Sequence, residues 1–301
     1  MKRELPFCSI IVPTFERPAQ LAQCLQALSL LDYPPQRFEV ILVDDESSTS
    51  PAVVVDGFRG RMDVKLLTQR HAGPAAARNF GATHACGEFL AFTDDDCAPE
   101  ACWLRTLAAR LSETPDRIVG GRTLNALTSN PYSATSQLII DVVYEYFNPD
   151  PHNARFFASN NFALSAQHFH ALGGFDVKFR TSEDREFCDR WLATGRRMTY
   201  APEALLYHSH PLTLATLWRQ HFGYGRGARR FHLRRESRGA PTFKPDAAFY
   251  LKLLRASIPR APKPSAVLMP ALMLWVQLAN AAGFFHERSR SKQTDALRIQ
   301  T

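Results

Sequence analysis

Short β-branched runs alternate with amphipathic stretches through the first 111 residues. Ser9-Ile10-Ile11-Val12 is a compact apolar run and predicts a buried strand. Residues 18–31 follow with Leu21, Leu25 and Leu28 at helical spacing, and Pro34-Pro35 ends that helix. Val40-Ile41-Leu42-Val43 predicts a second strand, closing on Asp44-Asp45. Residues 51–58 read as a short helix with Ser50 as its cap and Pro51 at its first position. A third strand is expected over 64–68, an Ala-rich helix over 74–85, a fourth strand over 89–93 and a further helix over 100–111.

This alternation predicts an α/β fold: a mostly parallel sheet flanked by helices on both faces. Ligands of such sheets bind beyond the carboxyl ends of the strands. Three polar clusters fall there: Thr14 to Arg17, Asp44 to Ser48, and Asp94-Asp95-Asp96.

Past residue 125 the strict alternation stops. Residues 132–146 fit a helix or a loop, and 156–164 look extended. Gly173-Gly174 marks a turn, and a helix over 183–194 ends at Gly195. Two extended pieces, 198–200 and 204–207, precede His208. Residues 214–235 are mostly helical, with a glycine-rich interruption at Gly223, Gly225 and Gly227. After a linker-like 260–264, residues 266–285 are mostly apolar and near the length that crosses a bilayer, though Pro270, Gln277 and Asn280 weaken that pattern. A spanning helix, a membrane-lying helix and a buried packing helix all fit. Lys and Arg on both sides leave it unoriented.

Charge sharpens this picture at one end. The 301 residues carry a net charge of +7, and between Arg219 and Lys263 twelve Lys or Arg face only Glu236 and Asp246. Such a stretch attracts anions, or simply forms a solvated helical face. It lacks the aromatic interleaving of a nucleic-acid binder, so no nucleic-acid partner is expected. None of the six cysteines sits in a CxxC pair, which argues for reduced thiols in a cytosolic protein. Met1-Lys2-Arg3 mimics the start of a signal peptide. The apolar run behind it is too short and meets Pro13, Glu16 and Arg17.

The strand-end carboxylates carry the candidate chemistry. Asp94, Asp95 and Asp96 repel one another unless a cation or water screens them, and carboxylate oxygens suit Mg²⁺ or Mn²⁺. An acidic loop capping the next helix is the plainer alternative. Asp44 and Asp45 can accept hydrogen bonds from a base or ribose, or cap a turn. His71 to Asn79 opens a helix with small residues that admit a close ligand. Arg78 there is a phosphate contact or a structural ion-pair partner. Glu183 and Asp184 open another helix, as reactive groups or as charges on its dipole.

In order, SIIVPTFERPAQLAQCLQAL, EVILVDDES, HAGPAAARNFGA, FLAFTDDDC, NNFALSAQHFHALGGFD and SEDREFCDRWLATG resemble the family 2 inverting glycosyltransferases over roughly residues 7–210. The resemblance implies a GT-A fold, Rossmann-like in outline, with a nucleotide-diphosphate sugar as donor. It implies a GT-A domain over 1–212, with a nucleotide-binding half 1–122 and an acceptor half 123–212. Residues 213–301 form a helical, basic extension. Thr14, Glu16, Asp44 and Asp45 would surround the nucleotide, together with Pro13, Arg17, Arg78, Asp94 and Asp95. Gly174 would line the sugar cleft. Asp94 and Asp96 would be the ends of a DxD motif, with Asp96 the direct metal ligand and His208, or else His210, near the ion. Asp184 would be the general base, beside Glu183.

The chain departs from the family's processive synthases, which carry QxxRW after the base. Here Arg219-Gln220-His221-Phe222 stands instead, which favours transfer of a single sugar. UDP is the expected nucleotide, with GDP or dTDP as alternatives. A saccharide or lipid-linked acceptor is expected, in the cytoplasm or at the cytoplasmic face of the membrane. The competing functions are a sugar-phosphate nucleotidyltransferase and a non-catalytic, membrane-associated binding module. Pro13 to Arg17 lacks the glycines of the first, and the intact acidic motifs argue against the second.

Overall fold

The computed structural model describes residues 4–258 and 267–299, with side chains to residue 290. The sheet is built first. Strands β1 (Cys8–Thr14), β2 (Phe38–Asp44), β3 (Asp63–Thr68) and β4 (Phe89–Phe92) pair in parallel, in the order β3-β2-β1-β4. Between them run helices α1 (Pro18–Leu28), α2 (Ala52–Asp56) and α3 (Pro74–Thr83). Every residue of β1 and β2 is buried, because helices cover both faces. Ile10, Val12, Val40 and Leu42 face a core completed by Leu21 and Leu25 of α1 and by Trp103 and Leu107 of α4 (Trp103–Glu113).

On the opposite face α3 lies close to the sheet. A Cβ on Gly81 would sit 2.7 Å from Ile11 Cγ2 and 3.0 Å from Val43 Cγ2. That close seat brings Arg78, on the same helix, over the strand ends.

The other half of the sheet is mixed. Strands β6 (Ile118–Asn125), β7 (Phe162–Ser165) and β8 (Met198–His208) continue it in the order β4-β7-β6-β8. The short β5 (Cys97–Pro99) closes the edge, antiparallel to β8. Strand β7 runs antiparallel to both neighbours, while β6 and β8 are parallel. The extended stretch expected over 156–164 is a strand only from Phe162, and the two pieces before His208 are one continuous strand. The expected helix over 183–194 is α7 (Glu183–Ala193), followed by Gly195 at φ +81°. Phe92, Phe162, Phe169 of α6 (Ala166–Ala171), Phe175 and Phe187 of α7 form one aromatic cluster, with ring centroids 4.9–6.2 Å apart. This cluster fixes α7 and the Gly174-Phe175 turn to the sheet.

The chain divides into two compact units. One holds residues 1–126 and 147–210, and the other holds 127–146 and 211–301. Residues 127–146, which form most of α5 (Pro131–Phe147), thus group with the C-terminal helices α8 (Leu214–Glu236), α9 (Ala247–Ser257) and α10 (Leu268–Ile299).

Helix α8 is continuous, so the interruption expected at Gly223, Gly225 and Gly227 is absent. The glycines serve packing instead. A Cβ on Gly225 would run into the Asn280 carbonyl, and one on Gly283 into the Phe222 carbonyl, so α8 and α10 meet backbone to backbone. Arg226 donates with Arg230 to the buried Glu287 of α10, at 2.8 and 2.7 Å.

A glycine-to-alanine change inside a helix ordinarily gains about 1 kcal/mol. At Gly225 the obstacle is backbone, so the helices must separate, and overpacking costs about 1–3 kcal/mol. We expect Gly225→Ala to lower stability in urea unfolding. A gain in stability would refute the contact.

Candidate active site

Parallel register aligns the strand-end clusters. Thr14 pairs with Asp44 across β1 and β2, and Ile11 pairs with Phe92 across β1 and β4, which carries Thr14 to the level of Asp95. Thr14 Oγ1 accordingly donates to Asp95 Oδ2 at 2.7 Å. Arg17, just beyond β1, donates to Asp95 Oδ1 at 3.2 Å and Asp96 Oδ2 at 2.9 Å. Burial pushes the Asp95 carboxyl up to about 6, with the Asp96 charge adding and Arg17 opposing.

Pro13 is buried in β1 opposite Val43. The next turn is left-handed at Glu16, with φ of 56°. There the Glu16 carboxylate accepts from Ser48 N at 2.6 Å and Ser48 Oγ at 3.0 Å, bonds that lower its pKa. Glu16 N donates to Ser47 Oγ, and Asp44 accepts from Ser47 N. Asp45 is turned to its own loops: Gln69 Nε2 (2.7 Å), Ala72 N (2.9 Å) and Gly73 N (2.8 Å) all donate to its carboxylate. At the same mouth the Phe15 ring, 41% exposed, lies 4.6 Å from the His71 ring. Nothing local in the chain singles out this aromatic pair, 56 residues apart.

Asp96 meets its partners through a strand too short to be read from the sequence. Strand β5 pairs Cys97 with His208, and Ser209 N donates to the Asp96 carbonyl at 2.8 Å. His208 Nε2 then stands 3.2 Å from Asp96 Oδ1, and His210 Nδ1 stands 3.5 Å from Asp96 Oδ2. The two imidazoles stack at 4.9 Å. Ligand atoms of Asp96, His208 and His210 all lie within 4.8 Å of one another. Burial alone would raise the Asp96 pKa, yet the two histidine bonds and the Arg17 charge hold it well below the carboxylate range. Burial opposes charge on His208, and Asp96 outweighs it and raises that pKa. One oxygen and two nitrogen donors, beside two more carboxylates, fit a divalent cation. Asp94 is not a member of this cluster.

Asp94 turns to Arg78, which is buried. Arg78 NH2 donates to Asp94 Oδ1 at 2.5 Å, and NH1 donates to Glu183 Oε1 at 2.9 Å. Its guanidinium also lies 5.7 Å from the Phe175 ring centre. Burial opposes the charge, but Asp94 and Glu183 raise the Arg78 pKa further. The DxD turn and the Glu183-Asp184 helix therefore share one guanidinium, at one end of the sheet.

Asp184 has no such partner. Burial and the Glu183 charge push its carboxyl up to about 7, although Arg185 N donates to Oδ1 at 2.7 Å. Gly174, at φ of 66°, sits against Asn79: Phe175 N donates to Asn79 Oδ1 and Asn79 Nδ2 donates to Phe175 O, both at 2.8 Å. Arg190, absent from the residues the sequence singles out, also pins this turn. Arg190 pairs with the buried Glu186 and donates to the carbonyls of Leu172 and Gly174 at 2.6 Å. The Glu186-to-Arg190 spacing on α7 was the available signal.

The fold is that of the GT-A glycosyltransferases. It matches the mannosyltransferase PcManGT of Pyrobaculum calidifontis, solved with GDP-Man and Mn²⁺. The TM-score is 0.68 at 17% identity, over 94% of this chain and 88% of that one. It also matches TarS of S. aureus in complex with UDP-GlcNAc, with a TM-score of 0.58 at 17% identity, over 96% and 92% of the two chains. The family model for glycosyl transferase family 2 matches residues 9–174, and the chain belongs to that family. Similar proteins include the glycosyltransferase AglE of Haloferax volcanii, 33% identical over 40% of each chain. Another is the pre-mycofactocin glycosyltransferase of Mycobacterium tuberculosis, 28% identical over 67% of this chain and 44% of its own. The chain spans 40–56% of the length of the first curated relatives it matches.

Breaking a buried ion pair on one side costs about 3–5 kcal/mol, because the partner charge stays behind. We expect Arg78→Met to lose about 3 kcal/mol in urea unfolding, with Arg78→Lys recovering only part, since one ammonium cannot reproduce the fork. An Arg78→Met protein as stable as the parent would show that the fork holds nothing together.

Proposed function

We propose that this protein transfers a single sugar from a nucleotide-diphosphate donor to an acceptor hydroxyl, with inversion at the anomeric carbon. The observation that carries the proposal is the Arg78 fork, which sets the acidic turn and the Glu183-Asp184 helix on one guanidinium.

The exposed ring of Phe15, beside His71, offers a face for a nucleobase. Asp44 and Glu16 line the same mouth for the base and ribose. Asp45 acts by holding the 69–73 loop, so its part in nucleotide binding is to shape the site. Arg17 is cationic and 45% exposed, and stands where a diphosphate meets the acidic turn. Asp96 and His208, with His210, would hold the divalent ion, and Asp94 adds negative charge beside it. Two imidazoles favour Mn²⁺ over Mg²⁺. When bound, the ion would supply positive charge against the departing nucleoside diphosphate.

Asp184 is the general base. A carboxyl raised toward neutrality is basic enough to take the acceptor's proton and still ionises near physiological pH. Glu183 is paired with Arg78 and Asp184 is not, so the neighbouring carboxylates have separate tasks. One base on the face opposite the leaving group gives inversion. UDP is the nucleotide we expect, and a saccharide or lipid-linked molecule the acceptor. We expect transfer in the cytoplasm or at the cytoplasmic, inner face of the membrane.

Asp184→Asn is expected to abolish transfer while leaving donor affinity, read by thermal shift with nucleotide sugars and Mn²⁺, nearly unchanged. In the parent, kcat/KM should fall as pH drops through about 7. Stability should move oppositely. The folded state holds the Asp184 proton more tightly than the unfolded chain, so the parent loses stability as pH rises from about 4 to 7. Asp184→Asn should lack that loss. Full transfer by the variant would remove Asp184 from the mechanism. Transfer that survives exhaustive chelation would remove the metal.

A further inference from the structure

We propose that the C-terminal unit docks on an anionic bilayer surface, with α9 and α10 lying in the interface and not crossing it. The proposal deepens the placement at the inner membrane surface and is independent of the sugar chemistry.

Helix α10 is apolar on two sides. Leu272, Met273, Val276 and Ala279 are buried within the unit. Leu274, Trp275, Leu278 and Phe285 recur at helical spacing and are 54, 37, 60 and 57% exposed. Up to Phe285 the helix thus offers one apolar side to its own unit and a second to a further apolar environment. Helix α9 adds Tyr250, Leu251 and Leu254, also exposed. Of the 17 large apolar side chains exposed among the described residues, 12 fall in this unit, although it holds the smaller share of the chain. That concentration marks an interaction surface.

Charge decides what covers it. The C-terminal unit carries 16 Lys and Arg against 6 Asp and Glu, whereas the sheet unit carries 20 against 23. A second copy would bring the same positive charge and be repelled. An anionic lipid surface is attracted, and arginines at the rim can keep their heads among the phosphates.

The contacts within the unit favour lying over spanning. Trp218 meets Trp275, Gly225 meets Asn280 and Arg226 meets Glu287, so α8 runs beside α10 in the same direction. Helix α8 carries six arginines, and two of them hold the buried Glu287. Carrying α10 through a bilayer would draw these charges into hydrocarbon. An interfacial helix leaves them on the wet side.

The test is co-sedimentation of the full chain with vesicles of phosphatidylcholine alone, or with phosphatidylglycerol added. The proposal expects binding about tenfold or more tighter to the anionic vesicles, weakened in about 0.5 M salt and released by an alkaline carbonate wash. Leu274→Glu with Leu278→Glu should lose that binding while the nucleotide-sugar thermal shift stays unchanged. Equal sedimentation with both vesicle types would overturn it. Retention through the carbonate wash would show spanning instead. A dimer by light scattering that the double variant breaks, with no vesicle binding, would assign the face to a second copy. Failure of the sugar-transfer reading would leave the vesicle result untouched.

Discussion

One guanidinium organises the candidate site. Arg78 arrives from α3, Asp94 from the end of β4, and Glu183 from the first turn of α7. These residues are far apart in the chain, and each carboxylate would be costly to hold near the other. The fork makes their approach favourable, because each oxygen accepts a charge-assisted bond from a rigid planar donor. Seating Arg78 there requires α3 to lie close to the sheet, which the missing side chain of Gly81 permits. Local backbone, helix packing and site electrostatics thus meet at a single residue.

The same fork explains why two adjacent carboxylates behave differently. Arg78 spends its two donor ends on Asp94 and Glu183. Asp184 stays close enough to feel the Glu183 charge but receives no guanidinium bond, and burial raises its pKa. A neighbouring arginine with a free end would have held Asp184 acidic and made it a poor base. The guanidinium bond at Glu183 and the lack of one at Asp184 are one arrangement.

The N-terminal strands and helices were legible because a strand buried on both faces is a continuous apolar run. Ile10 to Val12 and Val40 to Val43 announce themselves, and the polar residues that follow mark the binding end. The motifs in order carried the family. What stayed hidden depends on pairing across the chain. Strand β5 is three residues long and exists only because β8 lies beside it, so nothing local shows that Asp96 will face both His208 and His210. Asp45 looked like a ligand-facing acid, and only the placement of Gln69, Ala72 and Gly73 shows its oxygens turned to its own loops.

Glycines show the same limit from the other side. In isolation Gly223, Gly225 and Gly227 weaken a helix, and an interruption was the fair expectation. Helix α8 persists because what Gly225 loses in propensity is small against what close packing gains. Without a Cβ, α8 and α10 approach until backbone meets backbone, and Arg226 and Arg230 can then reach Glu287. A glutamate just past the apolar stretch of α10 would be a liability if buried alone. Two arginines from the adjoining helix compensate it and fix which side of α10 turns inward. The face left outward, Leu274 to Phe285, is therefore set by an ion pair on the opposite side of the helix.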